Sequence, residues 1–131
     1  MLNVLFKTDS HYTVNRPRVR AAISVVLTER KVKGDMEISV IIVGDRMMKS
    51  LNKKYRKLDK TTDVLSFPLH DTNYTTPFVD PPDGFLRLGD IVISYPCAVE
   101  EAGEENVFVD DKIDELVSHA TLHLLGFHHE E

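Results

Sequence analysis

The segment Glu37-Ile38-Ser39-Val40-Ile41-Ile42-Val43-Gly44-Asp45 sets the architecture, because its run of β-branched residues predicts a buried strand that ends in a turn. Asp45 is a suitable N-cap for a helix that continues to about Leu58. The apolar side of this helix is predicted to contain Met47, Met48, Leu51 and Tyr55. A strand followed directly by an amphipathic helix indicates a sheet with helices packed on it.

Further elements flank this unit on both sides. The pattern predicts strands at Leu2–Phe6, Asp63–Phe67 and Leu88–Ser94 and helices at Arg18–Lys31, Pro96–Gly103 and Asp110–Leu125. The order indicates an α+β fold, similar to a three-layer α/β fold, with one mixed sheet of about four strands packed against helices. The segment Leu69–Arg87 is a long connection, of the kind that is often functional in compact domains.

The composition is that of a soluble globular protein. The 131 residues fit one domain, residues 1–131, with 42% hydrophobic and 28% charged residues. No apolar run approaches the ~20 residues that span a bilayer, and the N-terminus is predicted to be a strand rather than a signal peptide. A single cysteine, Cys97, fits a reducing compartment. We therefore expect a cytoplasmic protein, without membrane association and monomeric.

The charges are unevenly distributed, although the net charge is only −5. From Asp45 to Lys60 there are seven basic residues and two acids, whereas Glu100 to Glu131 contains ten acids and one lysine. Such an asymmetry can present a positive surface to phosphate groups. On charge alone, ordinary solvated helix faces explain the pattern equally well.

The segment Ser118-His119-Ala120-Thr121-Leu122-His123-Leu124-Leu125-Gly126-Phe127-His128-His129 predicts a metal site on the last helix. His119 and His123 are four residues apart, so their rings lie on one face of a helix. Gly126 can turn the chain back so that His129 supplies a third ligand. Three protein ligands and an open position are typical of catalytic zinc. His128 could compete for the third position or support a ligand.

The same spacing occurs in metzincin proteases, where a glutamate follows the first histidine and acts as general base. Here that position is Ala120, which cannot transfer a proton. The pattern therefore indicates a metal-dependent hydrolase and argues against a peptidase.

Three motifs follow one another along the chain. The first is Asn52-Lys53-Lys54-Tyr55-Arg56 followed by Thr62-Asp63-Val64-Leu65-Ser66-Phe67-Pro68. The second is Gly89-Asp90-Ile91-Val92-Ile93-Ser94, and the third is the segment from His119 to His129. Together they span the chain from Asn52 to His129 and resemble the motifs of the YbeY-type rRNA maturation factors. This sequence departs from the family pattern at Ala120, His128 and Glu101, where Gly, Asp and Gln are usual.

The resemblance implies a zinc-dependent, single-strand-specific endoribonuclease that acts in 16S rRNA 3′-end maturation, rRNA processing and ribosome quality control. It implies one zinc per chain, held by His119, His123 and His129, with single-stranded ribosomal RNA and the small ribosomal subunit as partners. Arg56 corresponds to the important arginine of the family, so the expected catalytic residues are Arg56, His119 and His123.

Further RNA contacts are expected near Arg56. Lys53 and Lys57 are candidates for binding phosphates, and Tyr55, Tyr74 and Phe85 are candidates for stacking on bases. Two other classes remain open at this point: a zinc metallopeptidase-like hydrolase and a non-catalytic, zinc-containing ribosome assembly factor.

Overall fold

The computed structural model describes residues 1–9, 12–69 and 85–126. In these ranges the strands are β1 (Leu2–Thr8), β2 (Asp35–Val43), β3 (Val64–Pro68) and β4 (Phe85–Ser94). The helices are α1 (Arg16–Glu29), α2 (Asp45–Arg56), α3 (Tyr95–Glu105) and α4 (Val109–Leu124). The predicted order of elements is confirmed. Residues 70–84 of the connection between β3 and β4, among them Tyr74, lie outside the described ranges.

The strands form one sheet in the order β1-β2-β4-β3. β1 and β4 both run parallel to β2, whereas β3 runs antiparallel to β4. The sheet is therefore mixed, as predicted. β2 lies inside the sheet, and its residues Ile38, Val40 and Ile42 are buried on one face while Val43 is buried on the other. Burial on both faces explains why β2 has an almost continuous apolar sequence.

Helices lie on both faces of the sheet, which gives three layers. On one face, α1 and α4 pack against β2 and β4 through a core that includes Ile23, Ile91 and Val117. On the other face, α2 inserts the fully buried Met48 among Val43, Leu65 and Val92. None of the helices in the described part of the chain is long and apolar enough to cross a membrane.

Ion pairs connect α4 to α1 and to α3. Arg18 of α1 donates from Nε to Asp114 Oδ2 at 2.6 Å and from Nη2 to Asp111 Oδ1 at 2.5 Å. These carboxylates raise the pKa of Arg18, and the guanidinium lowers the pKa of Asp111. Lys112, which is buried, donates to Glu105 at the end of α3 at 2.7 Å. α4 is thus held from both sides, which fixes the helix that carries the histidines.

Helix α2 differs from the prediction in three details. Gly44, rather than Asp45, is the N-cap, because the Asp45 carboxylate instead accepts a hydrogen bond from Ser94 Oγ at 2.7 Å. The helix ends at Arg56 because Lys57 is left-handed, with φ of 62°. Met47, predicted to be in the core, is 53% exposed, whereas its neighbour Met48 is fully buried.

Candidate active site

The second half of α4 presents His119 and His123 side by side. Their ring centroids are 5.4 Å apart, and both side chains are half-buried. The buried side of the helix is anchored in the core by Val117, Ala120 and Leu124. The two imidazoles are therefore held one helical turn apart by a rigid, well-packed element. Gly126 follows the helix with a φ of 92°, as expected of a glycine that ends a helix.

Strand β3 forms the wall opposite the histidines. Ser66 Oγ lies 3.5 Å from His123 Nδ1, which places a hydroxyl beside one nitrogen of that ring. No role for Ser66 follows from the sequence pattern. Its proximity to His123 depends on the packing of β3 against α4, which no local pattern shows.

A glycine of β4 permits this close packing. Gly89 has a φ of +145°, and a Cβ placed there would lie 2.9 Å from Leu124 Cδ2 and collide with the Phe67 carbonyl oxygen. An alanine would therefore collide with the backbone of β3, and the Leu124 side chain of α4 would also have to shift. The glycine of the Gly89-Asp90 motif is explained by this close approach of β4 to β3 and α4.

Arg56 reaches the same place from the end of α2. A cleft of about 230 Å³ is lined, among the described residues, by Arg56, Val64, Leu65, Ser66, His119, Ala120 and His123. Lys53 and Lys57 are exposed and are not among these residues. The structure thus brings together the three predicted catalytic residues and leaves the two lysines outside the cleft.

Asn52 stabilises the chain that follows α2. It is completely buried, and its Nδ2 donates a hydrogen bond to the Lys60 carbonyl at 2.9 Å. This contact closes the turn between Arg56 and β3, so the asparagine of the Asn-x-x-Tyr-Arg motif positions the arginine rather than the substrate.

His119 and His123 are placed so that they can supply two nitrogen ligands to one zinc ion. Imidazoles four residues apart on one helix face can converge on one ion, and Ser66 can orient one of them. No group of three metal-ligating side chains is found within the described ranges. The predicted third ligand, His129, and its neighbour His128 lie beyond residue 126, outside those ranges. The cleft combines imidazole nitrogens with a guanidinium, and that pairing suits a metal ion beside a phosphate group.

Comparison with known proteins identifies the family to which this mixed sheet with its paired histidines belongs. The family model described as Endoribonuclease YbeY matches residues 6–131. An endoribonuclease YbeY from Dehalococcoides mccartyi is 36% identical over 99% of this chain and 84% of the relative. One from Moorella thermoacetica is 42% identical over 76% of this chain and 64% of the relative. The chain belongs to the YbeY endoribonuclease family.

A solved structure supports the fold. The solution structure of TM1509 from Thermotoga maritima matches with a TM-score of 0.57 and 27% sequence identity, over 99% of this chain and 75% of that protein.

Proposed function

We propose that this chain is a zinc-dependent, single-strand-specific endoribonuclease whose active site is the cleft between α4, β3 and the end of α2. The observation that carries the proposal is that Arg56 lines the same cleft as His119 and His123, although the residues are far apart in sequence. A phosphate-binding cation beside a pair of metal-binding imidazoles is an arrangement suited to phosphodiester hydrolysis.

Each residue has a separate role in this proposal. His119, His123 and His129 would hold the zinc, which supplies Lewis-acid chemistry at the scissile phosphate. The Arg56 guanidinium binds non-bridging phosphate oxygens, bidentately where the geometry allows. Ser66 holds the His123 ring in one orientation. Lys53 and Lys57 bind phosphates of the RNA outside the cleft.

A general base of the protease type is not found among the described residues that line the cleft. None of the described residues that line it carries a carboxylate, and Ala120 is buried at the position where a metzincin has its glutamate. An RNA substrate can supply its own nucleophile, the 2′-OH, as an alternative to water. Attack by the 2′-OH leaves a 2′,3′-cyclic phosphate, so end-group analysis of the products separates the two routes.

The biological substrate that we propose is ribosomal RNA. The three motifs and the membership of the YbeY family support a role in 16S rRNA 3′-end maturation, rRNA processing and ribosome quality control. We place the protein in the cytoplasm as a monomeric single domain that works with the small ribosomal subunit. A non-catalytic, zinc-containing assembly factor is the rival, because it would share the motifs and bind RNA without cutting it.

The test is to measure zinc content and RNA cleavage on the same protein samples. We expect one zinc per chain in the wild type, loss of zinc in His123→Ala and His129→Ala, and retention in His128→Ala. Arg56→Glu should retain zinc and lose cleavage. Stoichiometric zinc without cleavage of any RNA would favour the assembly factor, and a purified, folded chain that binds no zinc would overturn the proposal.

A further inference from the structure

A groove lies on the sheet face opposite α4, where α2 covers only one end. We name it the open-face groove, and its volume is about 610 Å³. Lys7, Ile41 and Asp90 form part of its floor, and Met47 and Tyr55 of α2 line one side. Met47 and Tyr55 are 53% and 54% exposed, so large apolar surfaces face the groove without being covered by the described chain.

The last turn of α2 supplies a lining residue to both the open-face groove and the active-site cleft. Tyr55 lines the groove and packs its ring edge-on against Phe67 of β3, with centroids 5.0 Å apart. The next residue, Arg56, lines the cleft. The last turn of α2 therefore touches both sites, and a flexible polymer bound at Arg56 can continue into the groove.

Asp90 provides a hydrogen-bond acceptor on the floor of the groove. It is half-buried, and it sits between Ser39 of β2 and Phe67 of β3 in the strand register. Its carboxylate makes no hydrogen bond or ion pair with any other residue of the described segments. A half-buried carboxylate of this kind favours a ligand that brings N–H donors.

The charges around the groove select among possible occupants. Among the described residues, the lining of the groove contains one basic residue, Lys7, and two acids, Asp9 and Asp90. The adjoining helix α2 belongs to the basic segment Asp45–Lys60, with seven basic residues against two acids, which favours a polyanion along the helix. An acidic peptide would bring carboxylates toward Asp9 and Asp90 on the floor. Single-stranded RNA instead keeps its phosphates on the outside and turns flat, apolar bases with N–H edges inward.

We infer that the open-face groove is a base-binding subsite for single-stranded RNA, in which a base contacts Met47 and Tyr55 while Asp90 accepts hydrogen bonds from its edge. The inference rests on the proposed ribonuclease function and extends it to the opposite face of the sheet. Guanine presents two adjacent N–H donors that match the two oxygens of a carboxylate. The subsite therefore favours guanine over the other bases.

The test compares two equally exposed apolar positions. Met47 in the groove and Val25 on α1 are 53% and 55% exposed, so Met47→Glu and Val25→Glu introduce the same charge with a similar effect on folding. Binding of labelled, 2′-O-methylated single-stranded oligomers to the zinc-loaded full chain is measured by fluorescence anisotropy. Met47→Glu is expected to weaken binding about tenfold, within the range for loss of a base contact. Val25→Glu should change it less than about twofold.

A second pair of measurements tests the role of Asp90. The wild type should bind a guanosine-containing oligomer more tightly than an all-uridine one, and Asp90→Asn should reduce this preference about fivefold or more, the loss expected for one specific base contact. Retention of the full preference in Asp90→Asn would overturn the assignment of Asp90.

The remaining outcomes separate this inference from the proposed function. Equal binding by Met47→Glu and Val25→Glu, with cleavage by the wild type intact, would overturn the subsite and leave the ribonuclease standing. A dimer in sedimentation that only Met47→Glu dissociates would assign the groove to a second copy and also overturn it. A wild type that neither binds nor cuts RNA would refute the proposed function itself.

Discussion

Replacement of the buried lysine between α3 and α4 gives a sharp test of the structural account. Lys112 is only 5% exposed, and its Nζ lies 2.7 Å from Glu105, 3.3 Å from Glu115 and 3.5 Å from Glu101. Lys112→Met preserves most of the apolar stem but leaves three carboxylates without their shared cation. The loss of the cation affects Glu101 most, because burial and the neighbouring Asp63 already raise the pKa of its carboxyl group.

The expected loss of stability is about 2–3 kcal/mol, below the usual cost of breaking a fully buried pair because Glu105 and Glu115 remain partly exposed. For a domain of this size the melting temperature should fall by roughly 6–12 °C. Urea unfolding followed by circular dichroism gives the free energy. The matched control is Lys49→Met, because Lys49 pairs with Asp59 at 3.9 Å on the surface. It should lose less than about 0.5 kcal/mol.

The pH dependence of this loss follows from two raised pKa values. Hydrogen bonding to Glu105 raises the pKa of Lys112, so its contribution is complete below the ordinary value of 10.5 and is lost as the pH rises further. Burial raises the pKa of Glu101 above 4.5, so this carboxylate is protonated early on acidification and then needs no cation. The stability difference between wild type and Lys112→Met should be constant between about pH 6 and 9 and shrink near pH 4. A loss under about 1 kcal/mol, or no shrinkage in acid, would refute this reasoning.

Three other substitutions test the site. Gly89→Ala should destabilise the protein by about 2–4 kcal/mol because its φ is +145° and its Cβ would meet the Phe67 carbonyl. Gly103→Ala, with open space in α3, should instead stabilise it by about 0.4–1 kcal/mol, and thermal unfolding checks both. Ser66→Ala should weaken zinc binding about tenfold in a chelator competition, with Ser66→Thr recovering part of it. Arg56→Lys should retain zinc but lower single-turnover cleavage about 100-fold, since a single ammonium cannot replace a bidentate guanidinium. Equal rates for Arg56→Lys and wild type would remove Arg56 from the mechanism.

The order of elements was predictable because each element has a strong local pattern. The β-branched run of β2 and the capping glycine after α4 needed no tertiary information. The errors in α2 arose where a distant residue competed with the local pattern. Asp45 accepts a hydrogen bond from Ser94 instead of capping its own helix. Met47 is exposed because α2 covers only part of the sheet.

The candidate site was predictable from the sequence where it depends on local spacing, and not where it depends on tertiary packing. His119 and His123 are neighbours through helical spacing alone, so their proximity follows from the sequence. The position of Ser66 beside His123 and the need for Gly89 at the base depend on how β3, β4 and α4 pack. The open-face groove could not be predicted from the sequence either, because Ile41 in its lining belongs to a strand that is apolar on both faces.

The most direct test of the central claim is single-turnover cleavage of an RNA hairpin with a single-stranded overhang. Zinc-loaded wild type and His123→Ala are compared at equal concentration, after circular dichroism has shown that both are folded. We predict cuts confined to the overhang by the wild type and none by His123→Ala. An uncut overhang with the zinc-loaded wild type, or equal cutting by both proteins, would contradict the account.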